Sequence, residues 1–330
     1  MSVIAGCSLF NGVLLLADCR ATVTRRDQAS IYVDNVQKLF VVTPQIAFGF
    51  VGDILAAAAI FQDLPRYMNK RLKYHNGLHP VTFLDWFPRY LQYAYSRVQF
   101  KPGPLSVMVA CIIRDHPNVI ERAKVVALME RFRLGKLSYQ RSWLPEILIK
   151  ILNTPPEVPL VRLLDAPLGI LGMLASPQFD LELLNPLEFG AIGSGETIVS
   201  QIDKEADWIF AGDVGNPFIE TMALRECASH FIADNNIPTV GGLFPCVKLE
   251  AAGLQHIGES VEIPLGGDKI ELKPINGGRW LQRHVNSGTE IQLRYPWEID
   301  FANITTSQTF DFLKNAQQNF HGRDRKDVEK

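Results

Sequence analysis

The chain has little with which to cross-link itself. Its five cysteines, Cys7, Cys19, Cys111, Cys227 and Cys246, are odd in number and scattered, without metal-ligand spacing. That pattern excludes a disulfide framework and a zinc site, and it predicts reduced, mostly buried thiols in a cytoplasmic protein. An excess of one charge is also missing. The 33 Lys and Arg against 35 Asp and Glu leave a net charge of −2 with no long basic block. Nucleic acid and membrane are therefore not expected as partners. No apolar run is long enough to span a bilayer, since the most apolar stretch, 160–175, is broken by Arg162 and Asp165. The start lacks the basic segment and small-residue cleavage site of a secretory signal. The seven histidines show no ligand pairing, so neither a metal nor a cofactor is expected. Gly193-Ser194-Gly195 lacks the third glycine and the βαβ context of a dinucleotide fingerprint. Repeats and low-complexity segments are absent.

What is present is a chain of 330 residues, 47% hydrophobic and 21% charged, long enough to bury a sizeable core as one elaborated domain or two. Its organising stretch is the first eighteen residues. Two apolar runs flank Asn11-Gly12 and read as two strands joined by a type I′ turn. Methionine aminopeptidases generally remove Met1 before a residue as small as serine, which makes Ser2 the expected mature N-terminus. A terminal serine joins a hydroxyl to a free α-amine whose pKa is about 7.7–8.0, so nucleophile and base share one residue.

Further along, 36–42 and 45–51 read as a third and a fourth strand, all four before any helix, which points to antiparallel pairing. A helix starts near Ile54, with Pro65 placed to kink it, and Thr82 with Asp85 caps a second. Residues 105–113 read as a strand covered on both faces. The stretch 121–184 carries amphipathic pieces and reads as an inserted helical arm, serving either as a further layer of core or as a lid or subunit contact. A strand runs into Gly193-Ser194-Gly195, a helix covers 216–233, and strands follow at 243–250 and 254–257. The layout predicts an α+β fold, a four-layer αββα sandwich over 1–257. The remainder, 258–330, reads as a β-rich C-terminal extension with strands at 261–265, 269–272 and 290–295, a helix at 307–320 and a disordered charged tail.

A terminal serine needs a cation to favour its alkoxide, a carboxylate to hold that cation, and backbone N–H groups to receive the oxyanion. Asp18, Lys38 and Gly52 stand at positions suited to these roles. In these features the chain resembles the proteasome β-subunit family, the threonine-type peptidases of the N-terminal-nucleophile (Ntn) hydrolase superfamily. The resemblance rests on Asp18-Cys19-Arg20-Ala21-Thr22, Val36-Gln37-Lys38, Gly49-Phe50-Val51-Gly52 and Gly193-Ser194-Gly195. Counted from Ser2, the spacing to Asp18 and from Lys38 to Gly52 matches the family, while about four extra residues between Asp18 and Lys38 lengthen a surface loop. The likeness covers roughly 2–120 and 190–261.

The resemblance implies Ser2 as nucleophile with its own amine as general base, Lys38 lowering the hydroxyl pKa, and Asp18 orienting Lys38. It further implies an oxyanion hole at the Gly52 N–H and a hydrogen bond from Ser194 near the terminal amine. Thr22 would bind substrate as an added strand. Ala21, Val36, Phe40, Phe50, Ile54 and Ala58 would line an uncharged side-chain pocket. Three departures stand out. The nucleophile is Ser instead of Thr, Ile237 occupies the place of the family's aspartate before its S-G-G turn, and no propeptide beyond Met1 is seen. The expected activity is peptide-bond cleavage through an acyl-enzyme in a ring-like homo-oligomer acting on peptide or unfolded protein, with an ATPase partner left open. Alternatives are a non-peptide amidohydrolase on the same fold and a catalytically inactive assembly protein.

Overall fold

A computed structural model of the chain describes residues 2–9, 12–24, 30–74, 78–113, 168–184, 189–194, 225, 240, 243–250, 252–263, 268–301 and 303–304. Helix and strand are mixed, with strand predominating. The chain opens with β1 (Val3–Leu9), β2 (Gly12–Ala17), β3 (Ala21–Val23), β4 (Ile31–Val33), β5 (Leu39–Thr43) and β6 (Ile46–Gly52). Helices α1 (Ile54–Phe61), α2 (Leu64–Tyr74) and α3 (Pro80–Ser96) follow. Next come β7 (Leu105–Ile113), β8 (Leu168–Ala175), β9 (Glu182–Leu183), β10 (Phe189–Gly193), β11 (Cys246–Glu250) and β12 (Gly253–Ile257). The described part closes with β13 (Glu259–Ile263), β14 (Asp268–Ile275), β15 (Arg279–His284), β16 (Glu290–Gln292) and a 3-10 turn at Pro296–Glu298.

Two five-stranded antiparallel sheets carry the core, ordered β10-β1-β2-β11-β12 and β5-β6-β7-β8-β9. Period-two alternation sorts their side chains. Ile4, Val13, Leu15 and Val247 of the first sheet share one buried cluster with Ala47, Val51, Met108, Ala110 and Leu171 of the second, so the sheets lie face to face. On the far side of the second sheet, Phe48, Phe50, Val107 and Val109 pack with Phe61, Phe83 and Phe87 of α1 and α3. Val3, Ala5, Leu14 and Leu16, on the other face of the first sheet, are buried as well. Burial on both faces explains why β1 and β2 read as unbroken apolar runs. The expected helix at 216–233 lies outside the described residues except for Arg225, which is helical and whose guanidinium donates to the Phe244, Ile257 and Gly258 carbonyls at 2.8 Å each.

Several elements differ from expectation for identifiable reasons. Leu9 pairs with Gly12, so Gly12 belongs to β2 instead of the turn. A Cβ on Gly12 would collide with the Leu249 carbonyl oxygen, and the glycine admits β11 at close range. The strand expected at 36–42 starts only at Leu39, because the Val36 and Gln37 amides donate to the Cys19 and Arg294 carbonyls at 3.0 and 2.8 Å. Pro65 kinks nothing: it sits in the first turn of the separate α2, where its missing N–H costs little. His79, not Thr82, caps α3, its Nδ1 accepting from the Val81 amide at 3.3 Å, while Asp85 pairs with Arg89 at 2.6 Å on the surface.

The largest correction concerns the segment expected to form a helical arm. Its described portion is strand: β8 pairs with β7 from Ser106↔Ala175 to Ile113↔Leu168, and β9 extends the same sheet. Residues 121–167 of that arm lie outside the described residues. The C-terminal strands form a sheet β13-β14-β15-β16, in which β15 was not anticipated. That sheet shares the core of the sandwich, with Ile270, Leu272 and Trp280 fully buried in the cluster between the two large sheets. The expected helix at 307–320 and the charged tail lie outside the described residues.

Candidate active site

Register alone brings three of the anticipated groups together. Strand β1 lies between β10 and β2, with Val3 opposite Gly193 and Ile4 opposite Ala17. Ser2, Asp18 and Ser194 are therefore each the first residue beyond the end of one of three adjacent strands. The Asp18 amide donates to the Val3 carbonyl at 3.1 Å, and the Ser194 amide to the Ser2 carbonyl at 3.0 Å. A Cβ on Gly193, whose φ is +77°, would collide with that same Ser2 carbonyl oxygen. Only glycine lets β10 run this close to the start of β1.

Lys38 enters from the neighbouring sheet, one residue before β5. Its Nζ donates to the Ser2 Oγ at 2.6 Å, to the Asp18 carboxylate at 2.9 and 3.0 Å, and to the Arg20 carbonyl. An ammonium has three N–H bonds, and all three are committed. The Ser2 Oγ is thus an acceptor toward Lys38, and among the described residues its own hydroxyl has only a long contact, 3.5 Å, to the Arg20 carbonyl. Asp18 is fully buried and also accepts from the Val3 amide at 2.9 Å and the Arg20 amide at 3.2 Å. Burial pushes its carboxyl up from the ordinary range, opposed by the Lys38 charge and by these hydrogen bonds. Ser2 and Lys38 are 7% and 2% exposed, so their electrostatics act in a dry setting that strengthens each contact.

The Ser194 Oγ is buried and has no hydrogen-bond partner among the described residues. It stands beside the first residue before β1, where the Ser194 amide already donates to the Ser2 carbonyl. Gly52 ends β6 with φ +113°, a conformation that L side chains avoid, and it is exposed. Asp53 fixes it from the next position. One Asp53 oxygen caps α1 through the Leu55 and Ala56 amides at 2.9 and 3.2 Å, and the other accepts from Gly103 at 2.7 Å.

The pocket residues divide between two apolar clusters at the same end of the sheets. Ala21 and Val36 lie in one, Phe40 and Phe50 in the other, and Ile54 touches both. Ala58 is half-buried on α1 and belongs to neither. Thr22 is half-buried on β3, paired with Tyr32, and its Oγ1 has no partner among the described residues. The residues expected to line this uncharged pocket are packed over by the C-terminal chain. Tyr295 and Trp297 stack on Phe40 at 5.1 and 5.8 Å, and Ile299, Phe301 and Ile304 pack with Ala21, Val36 and Ile54.

Sequence reasoning missed two groups here. Asp34, fully buried, takes the Arg20 guanidinium bidentately at 2.6 and 2.7 Å and locks the backbone that holds Lys38. The aromatic cover at 295–301 was the other; its one signal was a dense aromatic run, Tyr295-Pro296-Trp297. Ile237, the departure from the family pattern, lies outside the described residues. No group of three or more His, Cys, Asp or Glu suited to a metal ion occurs among the described residues, and no helix among them is long and apolar enough to cross a membrane. Comparison with known protein families and with characterised proteins gives no match.

Proposed function

We propose that the protein is an N-terminal serine hydrolase of amide bonds, related in fold to the proteasome-like Ntn peptidases with their four-layer sandwich. One observation carries the reading: the hydroxyl oxygen of the chain's second residue accepts from a buried lysine at 2.6 Å, and that lysine is braced by a buried aspartate at 2.9 Å. A surface serine would not be given so costly a setting. Two helix-free strands delivering Ser2 and Asp18 to the same spot, and the open Ser194 hydroxyl beside them, support the same reading.

Once Met1 is removed, the Ser2 α-amine takes the hydroxyl proton while Oγ attacks the carbonyl carbon of the scissile amide. The Lys38 charge favours the developing alkoxide. The negative charge on the carbonyl oxygen goes to the Gly52 N–H. As the tetrahedral centre collapses, the C–N bond breaks and the amine leaves with the proton held by the α-amine. Water then attacks the Ser2 ester, its proton passing to the same amine, and the acid departs as Oγ is restored. The bond cleaved is a peptide bond by the resemblance, and the same reading carries a ring-like homo-oligomer, which gel filtration tests.

Intact mass spectrometry after treatment with a β-lactone or peptide epoxyketone tests the chemistry. The expected result is loss of Met1, one adduct on Ser2, and no adduct in Ser2→Ala. Lys38→Ala should slow adduct formation by about a hundredfold or more, as for other groups that stabilise developing charge. A chain that keeps Met1 or carries an acetyl group and takes no adduct would show an assembly protein that has the constellation without its chemistry.

A further inference from the structure

The surface that should receive a substrate side chain is already occupied by the protein itself. Ala21 and Val36, two of the residues expected to line it, are 4% and 0% exposed, and the cluster that buries them is completed by Ile299 and Phe301, with Ile304 and Ile54 against its edge. The neighbouring Phe40 is closed off in the same way. It lies between Phe48, stacked at 4.9 Å and 9°, and Tyr295, stacked at 5.1 Å and 13°. This covering strip is anchored at both ends of its turn. Arg294 exchanges backbone bonds with Asn35 and Gln37 at 2.8 Å each, directly beside Lys38. Glu298 takes the Arg279 guanidinium at 2.6 and 2.9 Å, and that guanidinium lies over the Tyr295 ring at 4.4 Å. A strip tied down by backbone bonds and a bidentate ion pair is a built wall of the site.

We infer that Ile299, Phe301 and Ile304 fill the side-chain pocket beside Ser2, so that the enzyme accepts amides of small acyl groups and rejects those with bulky ones. The inference rests on the hydrolase reading and narrows its substrate class. Size exclusion by a filled apolar pocket acts through packing, since a bulky acyl group finds no room without displacing side chains already at contact distance.

Two β-lactones, one bearing a methyl and one an isobutyl group, test this on the full chain. Each acylates by ring opening: Ser2 Oγ bonds to the carbonyl carbon, the ring C–O bond breaks, and the freed oxygen takes the hydroxyl proton. The methyl lactone should modify wild type, and its rate serves as the reference in each protein. The isobutyl lactone should modify Phe301→Ala about tenfold or more faster than wild type. Equal isobutyl rates would overturn the inference and leave the Ser2 chemistry standing. Where neither lactone modifies Ser2, the hydrolase reading fails, and N-acetyl-leucinamide decides the pocket separately. A rise in Tm for Phe301→Ala but not for wild type supports a filled pocket; no rise in either overturns it. Ile304→Ala, at the half-buried edge, repeats every arm if Phe301→Ala does not fold.

Discussion

Lys38 and Asp18 form a buried pair that is costly to break from one side. Each charge is out of water, and each is satisfied chiefly by the other and by backbone groups. Replacing only Lys38 by Met leaves a carboxylate stranded with full burial, and about 3–5 kcal/mol of stability should go with it. Asp18→Asn strands the ammonium and should cost a similar amount. The double variant should lose clearly less than the sum, because it leaves no buried charge. Urea unfolding of the four proteins checks this, and strictly additive losses would mean that the two groups do not depend on each other. This pair was legible in the sequence because Asp18 is fixed by the length of one hairpin and Lys38 by a short approach to the next strand. The Asp34 partner of Arg20 was not, since a lone acidic residue after a loop gives no sign of which way it turns. Nor was the filling of the pocket, because Phe301 and Ile304 lie at the far end of the chain from Ala21 and Val36, and contact between them is a tertiary fact.

At the level of elements, the strands covered on both faces were the easiest to read, and β7 has the anticipated limits, Leu105–Ile113. What misled was apolar sequence with glycines. Leu-Gly-Ile-Leu-Gly-Met-Leu-Ala has no helical or alternating period, and β8 forms because its glycines let neighbours close in. A Cβ on Gly169 would collide with Val13 and the Gly12 carbonyl at 2.6 Å. Strand β12 carries a further consequence. The His256 ring meets Trp280 edge-on at 5.5 Å, and its Nε2 is buried without a partner among the described residues. Burial holds its pKa below the usual 6.5. Above 6.5 the imidazole is neutral whether the chain is folded or not, so its contribution is intact. As the pH falls below that value the unfolded chain takes up the proton first, and stability is lost until the folded pKa is passed. Tm measured from about pH 8 to pH 5 should fall in the acid half of that range, and His256→Phe should flatten the slope. An unchanged slope in the variant would assign the acid sensitivity to other groups.

For the molecule as a whole, the C-terminal sheet is bound into the inter-sheet core and does not behave as an appendage. Trp280 is the largest fully buried side chain among the described residues, and it shares its cluster with Leu39, Val247 and Leu249 of the two large sheets. Trp280→Ala should therefore cost about 3–5 kcal/mol and destabilise the whole fold together. In urea, far-UV circular dichroism and tryptophan fluorescence should trace a single coincident transition for wild type and variant. An early, separate fluorescence step would show that the last strands melt independently. The register of the first sheet also limits how the gene can change length. Ser2, Asp18 and Ser194 meet because three neighbouring ladders stop in step, so a codon gained or lost within the first hairpin would turn its inward side chains outward and scatter the trio. Thr24 and Ser30, whose hydroxyls meet at 3.4 Å just past the β3/β4 pairing, take part in none of those three ladders, and residues inserted between them in sequence would leave the trio in step.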